Sequence, residues 1–426
     1  MSFSKQPIAT AIAAALMLIS PATQASDAEA DALDLVSAPE PDKKAPDATT
    51  RLFAEAALGS VSLRHGAGSR SLRRASIDVY HASRLSPAWR MTLSDRLDHL
   101  HPTSLMQGSD TVNSLREAYL GWDGDDGKTA VEFGRINLRQ GPAYGFNPTD
   151  FFRDGASRVL TSVNPFSIRE NRLGTVMLRV QHLWDGGALS LALAPKLANG
   201  PSANGLSLDL GATNNRNRSL LSFSRQFAGN LNMQALLYKE PGLRTQLGAS
   251  LTALIGNATV AHAEWSNAEE PSLVSRSSGR PDPVRSGNRV AAGLTYTTPG
   301  KLSLTAELHS NSFAAGESAW AAGSGAAERG MYLLTAEQRQ DSAARRGALL
   351  YVTQKDLAGI RNLALAGFVR FNIGDHSRLH WAEVRYQWRQ TDLALQWQLS
   401  TGQALSQYGL MPERQSIQIL ATHHFQ

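Results

Sequence analysis

Asp98, His99 and His101 stand within four positions of one another, and a carboxylate beside two histidines is raw material for a metal site. A transition metal needs three or four ligands, however, and a lone pair of histidines two residues apart supplies too few. The remaining candidates, His65, His81, His262 and His309, are scattered over the chain, and the adjacent His423 and His424 would point to opposite faces of a strand. No Gly-x-Ser-x-Gly elbow surrounds a serine, and neither a phosphate loop nor a dinucleotide fingerprint occurs in a strand–helix setting. The sequence therefore predicts no catalytic residue, no bound metal and no cofactor, and the chain is not read as an enzyme.

What remains is charge set among aromatic rings. The stretch NLRQGPAYGFNPTDFFRDG, Asn137 to Gly155, holds three Gly, two Pro, four aromatics, two Arg and two Asp. Gly and Pro at that density exclude a regular helix or strand through most of it. Its large apolar rings nonetheless ask for something to pack against. Asp150, Arg153 and Asp154 of this segment, with Arg158 just beyond it, are the charges that would face water. Further on, Asn164-Pro165 to Arg172 would bring Arg169, Glu170 and Arg172 back to the same level.

The elements that position them are read from the ends inward. Lys5, the apolar run Ile8 to Ile19 and the small residues before Ser26 form a secretory signal peptide over 1–25, cut after Ala25. That run is shorter than the ~20 apolar residues a spanning helix needs. Residues 26–50, rich in Ala, Asp, Glu and Pro and without aromatics, read as a disordered periplasmic leader. Residues 51–426 show no comparable break and are read as one unit. There are no cysteines, which excludes disulfides and a lipoprotein anchor. Without its first 50 residues the chain keeps 39 bases against 30 acids, a balance of +9. No nucleic-acid motif accompanies that excess, and export argues against nucleic acid as a partner; lipopolysaccharide and anionic solutes fit an exported protein better.

After residue 50 one pattern repeats: about ten residues, apolar at every second position, then a turn. Leu302, Leu304, Ala306 and Leu308 alternate with Ser303, Thr305, Glu307 and His309; Leu393, Leu395, Trp397 and Leu399 alternate with Ala394, Gln396, Gln398 and Ser400. A period of two places alternate side chains on opposite faces of a strand. Roughly eighteen such segments, of the ~10-residue length a tilted membrane strand needs, start near residues 51, 72, 88, 112, 129, 173, 187, 217, 230, 243, 257, 287, 301, 345, 361, 377, 391 and 415. Sixteen is the alternative number. Links after even-numbered segments are brief, such as Asp185-Gly186 and Pro299-Gly300. The long ones, 138–172, 197–215, 268–286, 313–343 and 401–413, all follow odd-numbered segments.

Tight turns on one rim and long loops on the other predict an all-β, antiparallel, up-and-down transmembrane barrel. Hydrocarbon offers no partner to backbone amides and carbonyls, so a spanning sheet must close. Trp122, Trp184, Tyr296, Tyr386, Trp388 and Trp397 fall near strand ends, as interfacial girdles require. Ile417, Ile419, Ala421, His423 and Phe425 share one face of the last strand. That ending resembles the assembly signal of bacterial outer-membrane barrels, with Phe425 penultimate rather than last, and implies the barrel-assembly machinery as a partner.

In strand grammar, end signal and position of the third long loop, the chain resembles the general-diffusion porins over most of Arg51–Gln426. GRINLRQG, GFNPTDFF and NPFSIRENRLG are similar to segments of a sparsely characterised group of outer-membrane proteins. The resemblance implies the outer membrane of a Gram-negative bacterium, a third loop folded into the lumen, and a wall of bases facing loop acids; it leaves a homotrimer open. Alternation sends Arg74, Asp78, Arg90, Arg96, Arg179, Glu383 and Arg385 inward, while the phase of Arg116 is ambiguous. The expected constriction pairs Asp150 or Asp154 with Arg74, Arg90 or Arg96, with Arg153, Arg158 and Arg179 completing the charged set. Tyr144, Phe146, Phe151 and Phe152 would rest on the wall while the loop charges face water. The expected function is passive diffusion of small hydrophilic solutes with a mild preference for anions. The alternative is a conduit or partner in export of a polymer, lipid or peptide, docking through loops 268–286 and 313–343.

Overall fold

The computed structural model describes residues 48–64, 68–103, 108–227, 230–279, 284–322 and 325–425. The signal peptide at 1–25, the leader up to residue 47 and His65 lie outside the described residues. The first strand begins at Ala48, so the last three residues assigned to the leader belong to the barrel.

Eighteen strands follow in order. They are β1 (Ala48–Leu63), β2 (Ser69–Arg84), β3 (Trp89–His101), β4 (Thr111–Asp123), β5 (Thr129–Ile136), β6 (Thr175–Trp184), β7 (Gly187–Ala194), β8 (Arg218–Phe227) and β9 (Leu231–Lys239). The second half is β10 (Gln246–Ile255), β11 (Thr259–Glu270), β12 (Arg285–Thr297), β13 (Leu302–Asn311), β14 (Arg346–Gln354), β15 (Leu363–Asn372), β16 (Arg378–Trp388), β17 (Thr391–Thr401) and β18 (Glu413–Phe425). Each begins within three residues of the start that alternation predicts. Every strand pairs antiparallel with its sequence neighbours, and β1 pairs with β18 from Leu52↔Phe425 to Leu63↔Glu413, which closes the sheet.

Parity sorts the side chains. On β13 Leu304 and Leu308 are exposed outside while Thr305, Glu307 and His309 are buried inside; on β17 Leu393 and Leu395 face out while Ala394 and Gln396 face in. An apolar exterior over a polar interior is the inverse of a soluble domain and suits a hydrocarbon surround. Trp122, Trp184, Tyr296, Tyr386 and Trp388 cluster at the end of the barrel that carries the tight turns. Trp397 departs from the expectation, lying four residues inside the end of β17. At that turn end, Asp185-Gly186 joins β6 to β7, with Gly186 at φ 69, a left-handed value that glycine adopts without steric cost.

The long connections gather at the other end. They are L3 (137–174), L4 (195–217), L6 (271–284), L7 (312–345) and L9 (402–412). L3 carries the short helix α1 (Pro165–Glu170), L4 carries α2 (Leu210–Thr213), and L6 carries α3 (Leu273–Ser278). L7 carries α4 (Glu317–Ala322) and α5 (Ala326–Gln338). Leu273 of α3 packs with Tyr332, Leu333 and Ala336 of α5, so L6 and L7 form one apolar unit.

Two local features shape the wall. The β3–β4 register shifts between Ser94 and Asp95, where Ser94 faces Glu117 and Asp95 faces Leu115. This bulge turns both Arg116 and Glu117 inward, which is why simple alternation left the phase of Arg116 open. The second is the eight-residue length of β5. The stretch of β4 from Thr111 to Glu117 has no β5 residue beside it. L4 takes that place: the Asn113 amide donates to the Gly205 carbonyl at 2.8 Å, and a side chain on Gly205 would collide with the Thr111 carbonyl.

Candidate functional site

L3 leaves the wall at the end of β5 and crosses the barrel interior, and two wall carboxylates fix its path. Glu264 on β11 and Glu307 on β13 occupy inward positions and are 1% and 2% exposed. Glu264 accepts hydrogen bonds from the Ala143 amide (2.7 Å), the Thr149 amide (3.1 Å), the Thr149 hydroxyl (2.7 Å) and the Asn147 side-chain amide (3.2 Å). Glu307 accepts from the amides of Tyr144 (2.7 Å), Gly145 (3.0 Å) and Phe146 (3.2 Å). A Gly- and Pro-rich run cannot satisfy its own amides through a helix or a ladder, and buried amides demand acceptors. The carboxylates supply them through charge-assisted bonds, stronger than neutral ones. Gly141, at φ 84, passes so close to the Glu264 carboxylate that a Cβ there would strike it.

The rings rest on the wall as expected. Tyr144 meets Phe166 edge to face at 5.0 Å and lies 6.1 Å from Tyr351 on β14. Phe151 stacks on Tyr238 of β9 at 4.9 Å, and Phe152 meets the same ring edge-on at 6.1 Å. The returning limb is stabilised by α1, where the Asn164 side chain accepts from the Phe166 amide at 3.1 Å and Pro165 opens the first turn.

The charges are arranged differently from expectation. Arg74, Asp78, Arg90, Arg96, Arg179, Glu383 and Arg385 all point inward, but none of these bases meets a loop acid. Asp150 is buried and pairs within L3, at 2.7 Å from Arg172 and 3.9 Å from Arg169. Asp154 pairs with Arg216 (2.6 Å) in L4 and Arg339 (2.8 Å) in L7. Arg153 reaches Asp341 of L7 at 3.2 Å, and Arg158 is buried against Asp209 of L4 at 3.3 Å. The loop charges thus bind loops to one another instead of facing water, since strand phase says nothing about partners supplied by neighbouring loops.

The wall arginines find wall acids. Arg74 binds Glu55 at 2.6 Å and donates to the Thr161 carbonyl of L3 at 3.0 Å. Arg96 lies among Glu55 (2.9 Å), Asp98 (3.0 Å) and Asp78 (3.4 Å), and Arg116 completes this group at 2.5 Å from Asp78. Arg90 and Arg179 share Glu132, at 2.6 and 3.1 Å. Asp98 is buried inside whereas His99 and His101 stand on the outer face, so those three residues do not assemble around an ion. His423 and His424 face opposite sides, bonded to Thr391 and Asp392 respectively.

Between L3 and the wall formed by β15–β18 and β1–β3 lies a cavity of about 580 Å³, roofed by L7 and L9. Seven arginines and four carboxylates line it. Of the eight residues singled out by sequence, Arg74, Asp150 and Arg153 are in this lining; Arg90, Arg96, Asp154, Arg158 and Arg179 are not. Arg169, Arg172 and Arg370 join it, and Arg370 has no ion pair among the described residues. Val163, Leu334, Trp381 and Tyr408 add apolar surface. On the other side of L3 a compartment of only about 60 Å³ is packed with Arg153, Arg216, Arg276, Arg289 and Arg339 against Asp150, Asp154, Glu240, Glu270 and Asp341. There burial pushes the Asp341 carboxyl up, but Arg289, Arg153 and Arg339 outweigh it and hold the group at about 2. Burial likewise raises Asp154, and Arg339 with Arg216 brings it below the usual carboxylate range.

Sequence reasoning missed Glu264, Glu307 and Arg370. For the two glutamates the signal was present: each is a lone carboxylate between outward-facing apolar neighbours, Ala263 and Trp265, and Ala306 and Leu308.

No protein-family model matches the chain, and no curated protein resembles it in sequence. Solved structures do share its architecture. OccAB1 of Acinetobacter baumannii superposes with a TM-score of 0.59 at 12% identity, over 91% of this chain and 99% of that one. A BenF-like porin from Pseudomonas fluorescens Pf-5 gives 0.58 at 10% identity, over 89% and 98%. OccK5 (OpdH) of Pseudomonas aeruginosa gives 0.55 at 9%, over 89% and 98%. At such identities the likeness is one of fold: the chain has the eighteen-stranded porin-type barrel.

Proposed function

We propose that the protein is a passive outer-membrane channel for small hydrophilic solutes, with a mild preference for anions. The observation that carries this reading is the cavity beside L3, whose lining holds seven arginines against four carboxylates. Fixed charge in a narrow aqueous passage raises the local concentration of counter-ions and sets selectivity. Arg370 lines this cavity without an acid of its own among the described residues, so its charge is open to a passing anion. That a fold neighbour is a BenF-like porin supports the reading. Export through a cleaved signal over 1–25, insertion by the barrel-assembly machinery and contact with lipopolysaccharide belong to the same proposal.

Refolded protein in a planar bilayer tests it. Ohmic single-channel steps and a reversal potential favouring anions in a salt gradient are the expected outcome; silence, or a clear cation preference, overturns it. The export-partner reading has less support, because L6 and L7 are folded onto each other and onto L3. The Gly155 amide donates to the Gln338 carbonyl at 3.1 Å, and the Gln340 side chain donates to Ser157 at 2.8 Å.

A further inference from the structure

The tight turns of the barrel are sorted by charge. Three consecutive turns, 298–301 between β12 and β13, 355–362 between β14 and β15, and 389–390 between β16 and β17, carry Lys301, Lys355, Arg361 and Arg389 against one acid, Asp356. Across the same rim, turns 124–128 and 185–186 carry Asp125, Asp126 and Asp185 against Lys128. Lys301 pairs with Asp356 at 2.6 Å, and that carboxylate also accepts from the Asn362 amide at 3.1 Å. Lys355, Arg361 and Arg389 are exposed and have no ion pair among the described residues. The Lys355 amide donates to the Lys301 carbonyl at 3.2 Å, and the Gln387 amide to the Asn362 carbonyl at 3.1 Å, so the three turns form one continuous stretch of rim.

Two of these bases also stand where their backbone is costly. Lys301 and Arg389 have φ 63 and 55, whereas the acidic turns place Gly127 and Gly186 at φ 64 and 69. A left-handed residue that carries a Cβ is less stable there than glycine. Charge is kept at a conformational cost, and such outliers gather at functional positions.

Beside the bases the outer wall is apolar. Tyr386 and Trp388 on β16 are 40% and 59% exposed, and Ile360 in turn 355–362 is 51% exposed. Leu363 pairs with Tyr386 in the sheet, which brings Ile360 and Arg361 to the same corner of the wall. Aromatic rings at strand ends lie at the level of lipid headgroups. Trp122 and Trp184 stand at that level beside the acidic turns, so the girdle is common to both sides while the cations are not. Tight turns of such barrels face the periplasm, where the bordering leaflet is built of phospholipid.

We propose that the rim from Lys355 to Arg389 is a docking surface for an anionic phospholipid of the inner leaflet. The lipid phosphate meets Lys355, Arg361 and Arg389, and the acyl chains run along Ile360, Tyr386 and Trp388. Bases at a membrane surface attract anionic headgroups over about one screening length. The acidic turns across the mouth repel the same headgroup, so the lipid gathers on one side of the barrel. This docking is independent of what passes through the lumen.

The chain has no cysteine, so a dye can be placed by one substitution. The full exported chain is labelled at Gln390→Cys, beside Arg389, or at Asn257→Cys, in the uncharged turn between β10 and β11. Each is folded into phosphatidylcholine vesicles that hold a minor share of a lipid brominated on its acyl chains. At Gln390, brominated phosphatidylglycerol should quench about three-fold or more better than brominated phosphatidylcholine; at Asn257 the two should quench alike. Raising salt from about 0.1 M to about 1 M shortens the screening length from ~10 Å to ~3 Å and should cut the excess by about half or more. Lys355→Gln with Arg361→Gln should remove the preference. Arg361→Gln alone, one exposed turn residue, should lower it partway and guards against a folding defect in the double variant. Equal quenching by both lipids at Gln390, or a preference unmoved by loss of these bases, overturns the proposal. A preference of the same size at both labels would reflect the net charge of the whole barrel and overturns it too. Release of the preference by inorganic phosphate would make the turns a site for the free ion and not for lipid.

Discussion

The cavity beside L3 and the compartment beneath L7 are both crowded with arginine, and L3 contributes charges to both. In the compartment five arginines meet five carboxylates in about 60 Å³, and Arg289 alone joins Glu270 and Asp341. In the cavity seven arginines meet four carboxylates around about 580 Å³, and Arg370 has no acid partner among the described residues. Matched charges without room cement loops together; unmatched charges with room are available to a solute. An arginine count alone does not separate the two, whereas partner count and free volume do.

The largest test of this division is removal of the loop that separates the regions. Deleting Gly145–Gly155 should raise single-channel conductance about two-fold or more, since pore width governs flow; an unchanged value would place the limiting passage elsewhere. Next comes Arg289→Met, which removes the cation shared by Glu270 and Asp341 and leaves Glu270 to Arg276 and Arg339 and Asp341 to Arg153. A buried charge left wholly unpaired costs about 3–5 kcal/mol; with these partners remaining the loss should be smaller, about 2 kcal/mol, read as a lowered unfolding midpoint in detergent, with ion selectivity little changed. Arg370→Met should behave in the opposite way, moving the reversal potential toward cations while stability changes by less than about 1 kcal/mol. Were the two variants to exchange phenotypes, cement and passage would have been assigned the wrong way round.

The smallest effect is on acid tolerance. The Asp341 carboxyl titrates at about 2 when folded, because Arg289, Arg153 and Arg339 outweigh the upward push of burial. An unfolded Asp titrates near ~3.9. Its folded value is depressed, so its contribution is complete above the unfolded value and disappears as pH falls through about 2. Hydrogen-exchange protection of the Gly155 amide, which joins L3 to L7, should persist at about pH 4 and decline only below it; loss already near neutrality would contradict this.

The barrel was legible because a single demand governs every strand: one face must suit hydrocarbon and the other water. That demand repeats at period two and exposes all eighteen strands. The inward course of L3 was legible from its own contradiction, aromatic yet irregular. Its charge partners were not, because Asp150 pairs with Arg172 of the same loop and Asp154 with Arg216 and Arg339 of two others. Such pairings depend on how loops fold over each other, which no local pattern encodes. Arg116 was hidden by a bulge, which breaks the rule that made everything else readable. Glu264 and Glu307 were visible as inward acids, but their role appears only once the amides of residues 143–149 are seen to need acceptors.

The shortness of β5 limits where the chain tolerates insertion. Beside β4 the outer rim is completed by a piece of L4, so the part of the surface where insertions are usually harmless here doubles as masonry. Lengthening the chain near Gly205 would part the seam along Asn113. Insertions should therefore be tolerated better in the loops that seal nothing.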